Sequence, residues 1–282
     1  MRNYESKVFA MLPRAGLANR LLVWAKAAVF ADINHLPLYV HGWNHIHLGP
    51  IIRREKSARY YGSFFENPKN ASFHFFVNRL LHQERLQYEP TIEVVDTRIK
   101  NSFVFSVVPH KSDYFKALRG HEDFLRACFF DMIRKKWRDR SPAHSEPFIA
   151  LHVRRGDFSN AGFTLASEKY FVDTLTRVRQ ASGIEQAFVF SDATPEQLPL
   201  LSKSKHVEFC DLGNEILDLQ MMAQSAVLLT SLQSTFGYWA GFVSDAAIIL
   251  DPRHNFGRIR SHREGLFEGD IDQFEKIKGA SC

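Results

Sequence analysis

The chain has 282 residues, 45% of them apolar and 24% charged, with a formal net charge of +5. This length and composition exclude a disordered, fibrous or miniprotein class and fit one large globular domain or two modest ones, each with its own core. The positive balance suits an anionic partner, whether nucleotide, phosphate, membrane surface or nucleic acid. Nucleic acid is set aside, because no RNP-type aromatic strand and no zinc-knuckle spacing occurs.

The three cysteines, Cys128, Cys210 and Cys282, are far apart, odd in number and without a CxxC. Neither a disulfide framework nor a cysteine metal site is expected. The N-terminus shows no signal-peptide core, and no apolar run is long enough to span a bilayer. A cytoplasmic location is therefore expected. Contact with a membrane surface through the basic runs at 53–56 and 134–136 stays open.

The elements follow in chain order. An apolar run at 8–12 reads as a buried strand, broken by Pro13-Arg14-Ala15-Gly16. Residues 17–30 repeat apolar side chains at helical spacing (Leu17, Leu21, Trp24, Ala28), and 36–40 reads as the next strand. Residues 41–90 carry His41, His45 and His47, many aromatics and no clear period. Strands are expected at 92–95 and 103–108 and a helix at 121–138. The polar, proline-bounded stretch at 139–147 is the linker candidate. It divides an N-terminal domain, 1–140, from a C-terminal one, 148–282.

The second half alternates regularly. Strands are expected at 148–153, 186–191, 206–209, 226–230 and 247–250, with helices at 167–180, 195–201, 214–224 and 235–243. Such alternation predicts an α/β fold with a parallel sheet and helices on both faces.

Parallel sheets of this kind bind ligands beyond the carboxyl ends of their strands. After the strand at 148–153 stand His152, Arg154, Arg155, Gly156 and Asp157. Paired guanidinium groups suit the oxygens of a diphosphate. Gly156 permits close backbone approach, and Asp157 could fix an arginine or carry a proton. A surface ion pair at a strand end explains the same residues equally well. After 226–230, Ser234 and Thr235 stand where a helix begins, so capping or anion binding fits either hydroxyl. Asp218 lies on a helix apolar nearly all round, where a carboxylate requires a partner, either a salt bridge or a guanine edge. Gly16, Asn19 and Arg20 mark a glycine turn into a helix, a generic phosphate-type site. The histidines at 41, 45 and 47 fit no common zinc pattern.

Three of these segments resemble the fucosyltransferase superfamily, above all its bacterial and animal α-1,2-fucosyltransferases. His152-Val153-Arg154-Arg155-Gly156-Asp157 is similar to the family's HxRRGD motif. Gly16-Leu17-Ala18-Asn19-Arg20 resembles its GLGNQ or GLGNR opening. Asp218 through Trp239 resembles its D-L-x-x-M…S-x-S-T-F-x-x-W block. The resemblance implies a GT-B-like architecture of two Rossmann-like halves with parallel sheets. In it the N-terminal half serves the acceptor, and 148–282 binds the nucleotide sugar. It implies an inverting, metal-independent transfer of L-fucose from GDP-fucose to a glycan hydroxyl, with no cofactor. Arg154 would assist departure of the diphosphate, with Asp157 as the second catalytic residue. His152, Arg155, Gly156, Asp218, Ser234, Thr235, Gly16, Asn19 and Arg20 would bind the donor. Asp157 and Glu168 are the candidates for a base. Ala18, Arg20 and Gly237-Tyr238 depart from the family pattern, which leaves acceptor and linkage open. Two alternatives also stand: another nucleotide sugar on the same fold, and a nucleotide-binding protein without turnover.

Overall fold

The computed structural model of the chain describes residues 6–45, 60–66, 86–96, 101–155 and 165–279. The chain divides into two compact units, Met1–Arg138 and Asp139–Cys282.

The first unit opens with β1 (Lys7–Met11), α1 (Leu17–Ile33) and β2 (Leu38–His41). It continues with β3 (Leu86–Tyr88), β4 (Ser102–Phe105), α2 (Glu122–Met132) and α3 (Lys135–Arg138). The four strands form a parallel sheet in the order β2-β1-β4-β3. Val8, Phe9 and Ala10 of the central β1 are wholly buried, as a strand covered on both faces requires. The apolar repeat of α1 goes almost all round the helix, and Phe30 packs its ring on Phe103 and Phe105 of β4.

Two expected elements differ. No strand forms at 92–95, where the Asn34 side chain takes the place of a neighbouring strand. Its Nδ2 donates to the Glu93 carbonyl at 3.0 Å, and its Oδ1 accepts the Val95 N–H at 2.8 Å. The helix expected at 121–138 breaks at Ile133, which is extended and buried and forms an antiparallel bridge with Phe65. The Arg134 N–H donates to the Phe64 carbonyl and the Glu66 N–H to the Met132 carbonyl. These backbone pairs from residues 64–66 outcompete the helical ladder there.

The second unit alternates as expected: β5 (Ile149–Val153), α4 (Glu168–Ser182), β6 (Ala187–Ser191), a 3-10 turn (Pro195–Gln197), α5 (Pro199–Ser202) and β7 (Val207–Phe209). Then come α6 (Glu215–Met222), β8 (Val227–Thr230), α7 (Thr235–Phe242) and β9 (Ala247–Ile249). A short β10 (Glu268–Gly269) and α8 (Ile271–Gly279) follow. All six strands are parallel, in the order β10-β9-β8-β5-β6-β7. This is the Rossmann order: the chain builds outward from β5 through β6 and β7, then restarts at β8 on the other side.

Strand alternation sorts the two faces. Ile149, Leu151 and Val153 join Phe171 and Leu175 of α4 and Phe274 of α8 in one core. Ala150 and His152 point to the opposite face, where α7 lies. His152 is thus the polar interruption in an otherwise apolar central strand.

Candidate functional site

The switch in strand order falls between β5 and β8, and doubly wound sheets bind ligands at the carboxyl ends there. Ser231 stitches the two ends together. Its Oγ accepts the Arg154 N–H at 2.8 Å and donates to the His152 carbonyl at 2.9 Å. Its own N–H donates to that carbonyl at 3.1 Å. From β6, Asp192 grips the same turn: Oδ2 lies 2.8 Å from Arg154 Nη1, and Oδ1 accepts the Arg155 N–H at 2.8 Å. The two arginines do not form one fork. Arg154 stays half-buried at the switch point on Asp192, whereas Arg155 sends Nη1 to the Ala166 carbonyl at 2.7 Å. The expected partners Gly156 and Asp157 lie outside the described residues.

His152 is buried beneath α7, with its ring centroid 5.4 Å from that of Phe236. Gly237 admits it: a Cβ at 237 would sit 2.8 Å from His152 Nδ1, so any side chain there must displace the imidazole or the helix. Burial, and then the charge of Arg154, push the imidazole pKa down to about 4, against an opposing pull from Asp192. The ring is therefore neutral near pH 7. Among the described residues its buried Nδ1 has no hydrogen-bond partner, a state that native interiors rarely leave unexplained.

Ser234 occupies the N-cap position of α7, as expected, and is buried, but its hydroxyl makes no capping bond to the helix. The first-turn N–H groups, Thr235 among them, are therefore not satisfied by their own cap, and the helix dipole favours an anion at that end. The preceding Gln233 has φ +60, an uncommon value for a residue with a side chain. Its N–H donates to the Tyr238 hydroxyl at 2.8 Å, which helps hold the turn.

Asp218 lies in the first turn of α6, which Asn214 caps by accepting the N–H groups of Ile216 and Leu217. The side chain is half-buried, and its carboxylate neighbours Cys210. That thiol is pushed up to about 12 by burial, with smaller effects from Asp218 and Glu208. Glu168 is not placed as a base: its Oε1 accepts the N–H groups of Leu200 and Leu201 at 2.6 and 2.8 Å.

In the first unit, Gly16 is extended at the N-cap of α1, and a Cβ there would meet nothing within 4 Å. Neither backbone nor packing demands glycine at that position. Asn19 has a buried Oδ1 with no hydrogen-bond partner among the described residues. Arg20 departs from the expected ligand-facing position. It is completely buried over the Tyr61 ring, with Nη1 donating to the Gly42 and Trp43 carbonyls and Nε to that of Ala15. Its fork thus binds the turns around the strand ends of its own unit. His41 and His45 face each other through Nε2 at 3.3 Å, and burial lowers the pKa of His41. His47 lies outside the described residues. Among the described residues no group of three or more His, Cys, Asp or Glu side chains is clustered as metal ligands. No described helix is long and apolar enough to cross a membrane.

Sequence reasoning missed Asp192 and Ser231. Both are the first residue after a strand of the parallel sheet, but nothing in their residue type marks a ligand site; the pairing of β6 and β8 with β5 brings them to Arg154.

No family model matches the sequence, and neither does any curated protein. Solved structures do match. The NodZ α-1,6-fucosyltransferase soaked with GDP-fucose aligns at 15% identity and a TM-score of 0.57, covering 90% of this chain and 97% of that one. NodZ from Bradyrhizobium aligns at 14% and 0.55, with the same coverage. POFUT1 in complex with GDP aligns at 11% and 0.53, covering 87% of this chain and 96% of that one. At these identities the likeness defines the fold, which is GT-B-like α/β with two parallel sheets.

Proposed function

We propose that the chain is a glycosyltransferase that moves L-fucose from GDP-fucose to a glycan hydroxyl. The observation that carries this reading is the junction at the switch point. Arg154 is fixed by Ser231 and Asp192 beside an α7 N-terminus whose serine does not cap it. The motif resemblance and a fold shared with proteins solved with GDP and GDP-fucose support the same choice of donor.

In this mechanism the diphosphate lies against Arg154 and the first turn of α7. Guanidinium and N–H donors stabilise the charge that develops on the β-phosphate as the sugar leaves. Because these donors are prepositioned, no reorganisation is needed at the moment of reaction. His152, neutral and with Nδ1 open, and Asp218 contact the guanosine part. Asp157 is the remaining carboxylate candidate for accepting the acceptor hydroxyl proton. The reaction inverts the anomeric centre and is metal-independent, with arginine and helix dipole in place of a cation. The linkage proposed is α-1,2, on the HxRRGD-type motif, and the setting is a cytoplasmic or peripheral-membrane step of glycan assembly, as in lipopolysaccharide.

Calorimetry with GDP, UDP and GDP-fucose, followed by transfer to a glycan panel with linkage analysis, tests this reading. Binding of GDP and transfer of fucose are expected. Binding of UDP in preference to GDP would overturn the donor. GDP binding without hydrolysis or transfer would favour a nucleotide-binding protein without turnover.

A further inference from the structure

The end of β8 has a carboxylate-held arginine on each side. Arg154 with Asp192 stands on the β5 side. On the β9 side, the loop that follows carries Asp251 and Arg253. The Asp251 side chain is only 2% exposed. Its Oδ1 accepts the Arg253 N–H at 2.9 Å and Nε–H at 2.8 Å, and its Oδ2 accepts from Nη2 at 2.7 Å. The guanidinium is thereby fixed by one edge, while the side chain remains 43% exposed. Nη1 has no partner among the described residues.

This loop is tied to the one that follows β8. The hydroxyl of Tyr238, which accepts the Gln233 N–H, lies 3.0 Å from Nδ1 of His254, the neighbour of Arg253. The Tyr170 hydroxyl reaches the Leu250 carbonyl at 3.5 Å. Arg253 is therefore registered to the segment that carries Ser231 and Ser234.

We propose that Arg253 is a second anion-binding arm of the nucleotide-sugar site, meeting the diphosphate from the β9 side while Arg154 meets it from the β5 side. The inference rests on the reading of the site given above. Adjacent strands are about 4.8 Å apart, so the ends of β5 and β9 stand roughly 10 Å from each other with the β8 loop between them. Two arginines reaching inward across that span can engage one pyrophosphate. Arg154 already uses part of its fork on Asp192, and a diphosphate presents more acceptor oxygens than the remainder can meet. Asp251 alone does not explain the arrangement: neutralising a buried carboxylate does not require the arginine to keep an exposed edge.

The test is calorimetry on three variants: Arg253→Gln, Arg154→Gln and the double variant Asp251→Asn/Arg253→Gln. The double variant removes the buried charge together with its partner, so no uncompensated charge is left inside the fold. The probes are GDP and guanosine. A charge-assisted hydrogen bond is worth enough for GDP affinity to fall about tenfold or more in both Arg253 variants, with guanosine affinity within about twofold of the parent. GDP affinity unchanged in the folded double variant, with Arg154→Gln weakened, would overturn this inference alone. Equal losses for GDP and guanosine would also overturn it, since they would mean general damage to the loop. Failure of the parent chain to bind GDP would overturn the reading of the whole site.

Discussion

Asp192 holds Arg154 at the switch point: its Oδ2 lies 2.8 Å from Arg154 Nη1, with the two side chains 21% and 29% exposed. A pair this open to solvent adds little to stability. Its effect is to direct the guanidinium. Asp192→Asn keeps an acceptor for the Arg155 N–H and removes the charge. It is expected to lower kcat/KM about tenfold while the melting temperature stays within a few degrees, as kinetics beside thermal unfolding would reveal. A large loss of thermal stability with normal kinetics in the folded fraction would assign Asp192 to the fold instead.

Arg154→Ala should reduce kcat by roughly 10²- to 10³-fold, the usual effect of removing one donor from a developing oxyanion. Arg154→Lys should recover little of this, because an ammonium lacks the fork that meets Asp192 and phosphate together. Steady-state kinetics within a few-fold of the parent would remove Arg154 from the chemistry.

Gly237→Ala places a methyl 2.8 Å from His152 Nδ1. Overpacking at a closed contact costs about 1–3 kcal/mol, or drives the imidazole from its place. A lower melting temperature together with weaker nucleotide binding is the expected result. A variant indistinguishable from the parent in both would mean that α7 yields more readily than its packing implies.

His152 gives a pH signature. Its folded pKa, pushed down to about 4, lies below the unfolded value, so the unfolded chain takes up the proton first as pH falls. Its contribution is complete above about pH 6.5 and is lost as pH drops toward 4, to the extent of roughly 3 kcal/mol. Denaturant unfolding across that window should show stability falling with acid, and His152→Gln should flatten the slope. An unchanged slope would mean that other groups govern the acid limb.

The second unit was legible because its strands are buried on both faces and read as continuous apolar runs, with helices between them. His152 and Arg154 stood out there as the polar end of an apolar strand. The first unit was less legible because side chains replace regular partners: Asn34 occupies a strand's place beside Val95, and Phe65 draws Ile133 out of its helix. Arg20 was misplaced for a related reason. An arginine one turn into a helix reads as solvent- or ligand-facing, and only the fold reveals the Gly42 and Trp43 carbonyls that bury it. Asp192 carries no motif of its own; its role appears only when parallel pairing sets β6 beside β5.

A crystal structure of the chain with GDP tests the central claim most directly. The diphosphate should lie at the carboxyl ends of β5 and β8, with phosphate oxygens within hydrogen-bond distance of the Arg154 guanidinium and of the first-turn N–H groups of α7. GDP bound elsewhere, or bound at the switch point with Arg154 still turned wholly onto Asp192 and out of contact with phosphate, would contradict it.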